Sequence, residues 1–181
     1  YADMIQKGIG GKVVRFHVLA NSDSEADQTL KLAVRDRVLQ EYGDLLETCT
    51  SKEETLAALK NAQQEISETA EVLAQGYTYP VRVSLVREEF PFKKYGDLIF
   101  PAGVYDALRI EIGEAKGKNW WCVLYPQMCY VDAAWGYSTE ESHVRLQNTL
   151  TKEEFLVVSA MEQKKVTPKI KCRLVELWSE R

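Results

Sequence analysis

The chain is poor in the residues and motifs from which most enzyme sites are built. Its 181 residues include only two histidines, His17 and His143, and four cysteines, Cys49, Cys122, Cys129 and Cys172. The imidazoles are far apart in sequence, with His143 in a polar stretch, which is a weak basis for a catalytic or metal pair. Cys122 and Cys129 stand seven positions apart and the other two thiols are isolated, which is not a zinc-ligand pattern. A Gly-rich phosphate loop, a Gly-x-Ser-x-Gly elbow, a His-Glu-x-x-His helix and an internal repeat are all missing, which counts against most common enzyme classes and against solenoids. No run approaches the roughly 20 apolar residues of a transmembrane helix. Positive charge is not in surplus either. A formal net charge of −4 argues against a general nucleic-acid binder. Nothing in the sequence asks for a metal or a cofactor. No charged-then-apolar leader precedes Tyr1, so the sequence reads as a mature or truncated product.

What is present is a globular composition, 45% hydrophobic and 28% charged, and one stretch of unusual density. Asn119 to Asp132 holds two of the four Trp, two of the four Cys, two Tyr and a Pro. Three local geometries are open to it. Asn119 can cap a short helix that stops before Pro126. A hairpin with Pro126 second in its turn sets Leu124, not Cys122, opposite Cys129. A turn centred on a cis Tyr125–Pro126 bond sets the two thiols opposite each other. Only the last brings them together easily, and whether Cys122 and Cys129 are bridged stays open at this level.

Along the chain, residues 1–11 hold three Gly and no periodic pattern, so they read as a mobile lead-in, with residues 12–181 as a single domain. Val14, Phe16, Val18 and Ala20 alternate with Arg15, His17 and Leu19, the period of a strand with one strongly apolar face. His17 then points away from that face, to the surface or a second layer. The polar run Asn21–Gln28 ends the strand and caps a helix. Asp23, Glu25 and Asp27 lie where the helix dipole favours negative charge, which accounts for them without a metal or phosphate. Leu30, Ala33, Val34 and Val38 predict a helix over about 25–42, ending near Gly43. Ser51-Lys52-Glu53-Glu54 opens a second, striped by Leu59, Ala62, Ile66, Ala70 and Leu73 until Gly76.

Residues 79–87 and 104–113 alternate as strands. Between them, Phe90-Pro91 and Phe100-Pro101 flank a Gly turn and read as an ordered loop or an irregular hairpin. Residues 136–168 form a helical or flexible insertion, with cap signals at Ser138 and at Thr151-Lys152-Glu153-Glu154. Ile170–Trp178 reads as a last strand that returns to the sheet. The expected fold is α+β: a single mixed or mainly antiparallel sheet of about five strands, with two long N-terminal helices packed on it.

Several stretches resemble the stage II sporulation protein R family of endospore-forming bacteria. They are Arg15–Ser24 with Asp27-Gln28 and Leu30-Lys31, Phe90–Gly103, Gly117–Val123 with the Pro126 to Cys129 spacing and Asp132, and the Val175-Glu176-Leu177-Trp178-Ser179 ending. Asn21, Ser22, Asp23, Asn119, Pro126 and Asp132 stand in these motifs. The resemblance implies a secreted protein working in the space between forespore and mother-cell membranes. There it would trigger a membrane-embedded aspartic protease, stage II sporulation protein GA, to cleave the sigma factor E precursor. Such an oxidising compartment favours a disulfide between Cys122 and Cys129.

An activator needs only to bind the active form of its receptor more tightly than the inactive one. Trp and Tyr supply much of the energy at such contacts, which makes Trp120, Trp121 and Tyr125, with Phe92 and Tyr95, the candidate partner-binding residues. Adjacent strand residues point to opposite faces, so one of Trp120 and Trp121 reads inward and the other outward. Two alternatives differ in class. A thiol hydrolase would use Cys122 as nucleophile, His17 as base and Asp23 or Asp132 as orienter. A cell-wall binding module would set exposed aromatic rings against sugar faces.

Overall fold

The computed structural model of the chain describes residues 2–129 and 140–160. Asp132, the cap at Ser138 and the strand expected over 170–178 lie outside the described residues. The centre of the fold is β1 (Val14–Leu19), in which all six residues are buried, so the strand is covered on both faces rather than on one. β5 (Gly103–Ile112) lies parallel along one side of it and β6 (Asn119–Tyr125) antiparallel along the other. β2 (Val81–Phe90) pairs antiparallel with β5, and the order is β2-β5-β1-β6. The fold is α+β with a mixed sheet, as the sequence patterns predict. The sheet has four strands among the described residues instead of about five. β3 (Lys93–Tyr95) and β4 (Leu98–Phe100) form a separate two-stranded hairpin, because Pro91 and Pro101 beside them cannot donate to a continuing ladder.

One face of the sheet carries α2 (Glu25–Glu47) and α3 (Lys52–Ala74). Phe16, Val18, Leu108, Ile110, Cys122 and Leu124 meet Leu30, Val34, Val38, Leu59 and Ile66 in the main core. Each helix starts on a serine cap: Ser24 Oγ accepts from Asp27 N and Ser51 Oγ from Glu54 N, as the polar runs imply. α2 passes through Gly43 to Glu47 rather than ending near residue 42. Leu46, four positions past Tyr42, is still packed in the core, and that burial outweighs the helix cost of one glycine.

The opposite face carries a layer that residue periodicity does not disclose. Residues 2–12 are not a loose lead-in but helix α1 (Ala2–Lys12), with Ile5 and Ile9 buried. Its glycines are close-approach positions. A Cβ on Gly10 would run into the carbonyl oxygen of Val104, and one on Gly8 into the carboxylate of Glu154. Buried Lys52 holds the helix end, donating to Gly10 O at 2.9 Å and pairing with Asp106 at 2.6 Å. α4 (Glu140–Thr149) and α5 (Lys152–Ala160) complete the layer. Thr151 and Glu154 form the expected reciprocal cap, Glu154 N donating to Thr151 Oγ1 and Thr151 N to Glu154 Oε2. Leu146, Leu150 and Val158 pack in this second core with Leu98, Phe100, Tyr105 and Val123.

Candidate functional site

β6 delivers its two tryptophans to different layers. Trp120 lies on the α2 side, its ring edge-on to Phe16 at 5.7 Å, with the Arg35 guanidinium 4.9 Å from its centroid. Trp121 lies on the second face, 5.4 Å from the His17 ring, with Lys93 Nζ 3.8 Å from its centroid. Both are half-buried. The sequence expectation of one Trp in and one out becomes two half-covered rings, each under a cation.

The strand ends in a turn that wraps the sheet edge. Tyr125–Pro126 is cis and Cys122 and Cys129 form a disulfide with a Cα–Cα distance of 5.4 Å, so the chain takes the third of the three geometries open to it. Met128 N donates to Val123 O at 3.0 Å, and the Met128 side chain enters the second core while Cys129 packs against the first. Tyr125 OH donates to Thr50 O at 2.7 Å, and Gln127 donates to Gly43 O. Tyr125 and Pro126 line a groove of about 250 Å³ with Leu46, Glu47, Cys49 and Arg145. Arg145 is engaged there by Gln127, Glu47 and Glu141.

This arrangement overturns the thiol-hydrolase alternative. Cys122 is bound as a disulfide, and its neighbour on β1 is Phe16, whereas His17 pairs with Trp121. The sulfur and the imidazole therefore face opposite sides of the sheet. His17 Nδ1 meets Glu88 Oε1 at 2.8 Å, and the same carboxylate accepts from Arg109 at 3.1 Å. Burial lowers the His17 pKa below its ordinary value, against the raising influence of Glu88, which keeps the ring neutral near pH 7 as a donor to Glu88. Arg109 reaches on to Glu111, which also pairs with Arg82.

Beside this network is a residue that strand periodicity assigns to the polar side and the fold buries completely. Arg15 is 0% exposed. Its guanidinium carbon lies 4.7 Å from the ring centroid of Phe90, 5.0 Å from Tyr105, 5.5 Å from Phe100 and 5.7 Å from Tyr95. Nε donates to Cys122 O at 3.2 Å and Nη2 to Tyr95 OH at 2.8 Å, while Nη1 has no partner. Burial pushes the Tyr105 hydroxyl up to about 12 and raises Tyr95, with the Arg15 charge opposing both. Phe92, next to Lys93 in the sequence, is 68% exposed. Of the five candidate contact residues, Trp121 and Tyr95 thus belong to the second face and Trp120 and Tyr125 pack against the first core, while Phe92 is exposed.

The Asn21-Ser22-Asp23 motif is a clasp. Buried Asp27 accepts from Ser22 Oγ at 2.5 Å and Asn21 Nδ2 at 2.8 Å. Asn21 Oδ1 accepts from Glu114 N, and Asp23 Oδ1 from Lys118 N. Lys116 N and Gly117 N donate to the carbonyls of Asn21 and Ala20. The start of α2 is thereby tied to the β5–β6 turn, and so to the position of Asn119, which is exposed at the head of β6. The Ser22 hydroxyl and then the Asn21 amide hold the Asp27 carboxyl below its ordinary value of 3.8. A depressed folded-state pKa means stabilisation that is complete above the unfolded value and is lost as pH falls through the folded one. Asp27→Asn is therefore expected to flatten the acid limb of a stability-versus-pH curve below about pH 4. An unchanged limb in denaturant titrations would remove the clasp carboxylate from the acid transition.

Residue pattern alone misses Arg15 and Lys93. The available signal is the interleaving of rings and cations in Phe90-Pro91-Phe92-Lys93-Lys94-Tyr95, which reads as a loop until β1 supplies Arg15 beneath it. Among the described residues no helix is long and apolar enough to cross a membrane, and no cluster of His, Cys, Asp and Glu has metal-holding geometry.

Fold and site together describe an α+β protein whose distinctive feature is an aromatic strand, β6, pinned by a disulfide. A family model for stage II sporulation protein R matches residues 10–135. The stage II sporulation protein R of Bacillus subtilis strain 168 is 32% identical over 184 aligned positions, covering 95% of this chain and 82% of that protein. The chain belongs to the stage II sporulation protein R family. No solved structure matches it.

Proposed function

We propose that this chain is a sporulation signal acting outside the cytoplasm, between the forespore and mother-cell membranes. It docks on the membrane-embedded aspartic protease, stage II sporulation protein GA, and turns on cleavage of the sigma factor E precursor. Family membership supports the place in sporulation. The Cys122–Cys129 disulfide supports an oxidising compartment. The observation that carries the docking reading is the corner of Trp121 and Tyr95, whose rings are fixed by Lys93, His17 and Arg15. Rings already held in place lose little freedom on binding and make strong anchors. Activation then requires only that the corner fit the active form of the receptor better than the inactive form.

The test is reconstitution. The protein is added to membranes that bear the protease and its sigma precursor, and cleavage is followed on gels. Cleavage above the no-protein control is expected, and its absence would sink the function. Trp121→Ala is expected to weaken activation by about 30-fold, the equivalent of about 2 kcal/mol at a central contact. Trp120→Ala, which removes packing on Phe16, should act through stability instead. Normal activation by a folded Trp121→Ala variant would remove this face from the interface.

A further inference from the structure

The second face of the sheet holds more positive charge than its own carboxylates neutralise. Glu88 is shared between His17 and Arg109, and Glu111 between Arg109 and Arg82. Arg15 and Lys93 have no carboxylate of the described residues within ion-pair distance. A buried guanidinium normally has an acid partner, because desolvating an unpaired charge is costly and arginine does not escape by losing its proton. Here four rings and two neutral oxygens surround it, and Nη1 is left over. Lys93 sits over Trp121, and its pKa is lowered by burial and then by the Arg15 charge. Two cations are thus held near each other with no carboxylate of the described residues paired to either.

We infer that the corner of Lys93 and Trp121, backed by the buried charge of Arg15, is the docking point for an acidic segment of a partner protein. A partner carboxylate pairs with Lys93 while an apolar side chain next to it covers the exposed part of Trp121. Charge complementarity selects the occupant: the field of Arg15, which pairs with no carboxylate of the described residues, adds to that of Lys93 and favours a negative group at the rim. A mixed acidic and apolar segment matches both parts of the corner. A free anion matches only one. This assignment rests on the docking reading above and specifies its chemistry.

The experiment uses the isotope-labelled full chain and two synthetic peptides, one alternating Glu with Phe and its counterpart with Gln in place of Glu. The Glu peptide is expected to shift the Lys93 and Trp121 resonances saturably, with affinity falling as salt rises. The Gln peptide should bind at least tenfold more weakly. K93E and K93Q should lose the response and K93R should keep it, with circular dichroism checking that each is folded. Equal response to both peptides, no shift at about 1 mM peptide, or the same shift with inorganic phosphate would each overturn the inference. The two readings fail separately. If the wild-type chain activates the protease and folded K93E activates it equally well, the acidic contact falls and the function stands. If the Glu peptide binds as expected and the wild-type chain activates nothing, the function falls and the contact stands.

Discussion

Arg15→Ala is expected to lower the stability of the fold by about 3–5 kcal/mol, whereas Arg15→Met should stay within about 1 kcal/mol of the parent. The two substitutions separate volume from charge. Arg15 is fully enclosed by Phe90, Tyr95, Phe100 and Tyr105, so Ala leaves a cavity among rings anchored to β2, β3, β4 and β5. It also strands Tyr95 OH and Cys122 O, the acceptors of the two guanidinium hydrogen bonds, and each orphaned buried group costs about 1–3 kcal/mol. Met refills most of the volume with a flexible thioether that aromatic rings accept, and it removes a charge that no carboxylate of the described residues pairs with. Relief of that desolvation offsets the two lost hydrogen bonds. Urea midpoints for the three proteins, at unchanged slope, measure the difference. A Met variant as unstable as the Ala variant would mean that the cation itself holds the second core together.

The same pair of variants bears on docking. If the Arg15 charge contributes to recognition of an acidic partner, folded Arg15→Met should activate the protease less than the parent does at equal stability. Stability and signalling then respond to different properties of one side chain.

How legible this was in the sequence depends on which layer is considered. The first core follows from residue pattern: Leu59, Ala62, Ile66 and Ala70 recur at helical spacing, Leu108, Ile110 and Ile112 at strand spacing, and they meet in one cluster. The second layer was hidden because its signals are not periodic. Gly8 and Gly10 look like a breaker run when read locally. They make sense only against Glu154 and the Val104 carbonyl, which are distant in sequence. Arg15 alternates correctly for a polar face, and only the arrival of β2, β5 and the β3–β4 hairpin buries it. The candidate contact residues Trp121 and Tyr95 were readable as aromatics of unusual density, but not their grouping, which needs Lys93 on the hairpin and His17 on β1. The Asn21-Ser22-Asp23 motif reads locally as a helix cap, and its second duty of holding the β5–β6 turn requires Glu114 and Lys118 beside it.

Opening the Cys122–Cys129 disulfide is expected to cost about 2–3 kcal/mol, the loop-closure value for a seven-residue separation. The loss should begin locally. The bridge closes the turn that carries Met128 into the second core and Gln127 onto the Gly43 carbonyl, so those contacts loosen first. In hydrogen exchange, the Met128 amide, bonded to Val123 O, should exchange faster in reductant. Amides at the centre of β5, paired on both sides by β1 and β2, should keep their protection. Trp121 is the residue before Cys122, and its pose depends on β6 holding its register against His17. Activation in the reconstituted assay should therefore fall in reductant at concentrations that leave the far-ultraviolet spectrum unchanged. Cys122→Ala with Cys129→Ala should reproduce that loss without reductant. Equal denaturant midpoints with and without reductant would show that the bridge contributes nothing to the fold. If both results come out as expected, the docking corner is set by oxidation: chains with Cys122 and Cys129 reduced are folded but poor signals, and full competence follows when the two thiols pair.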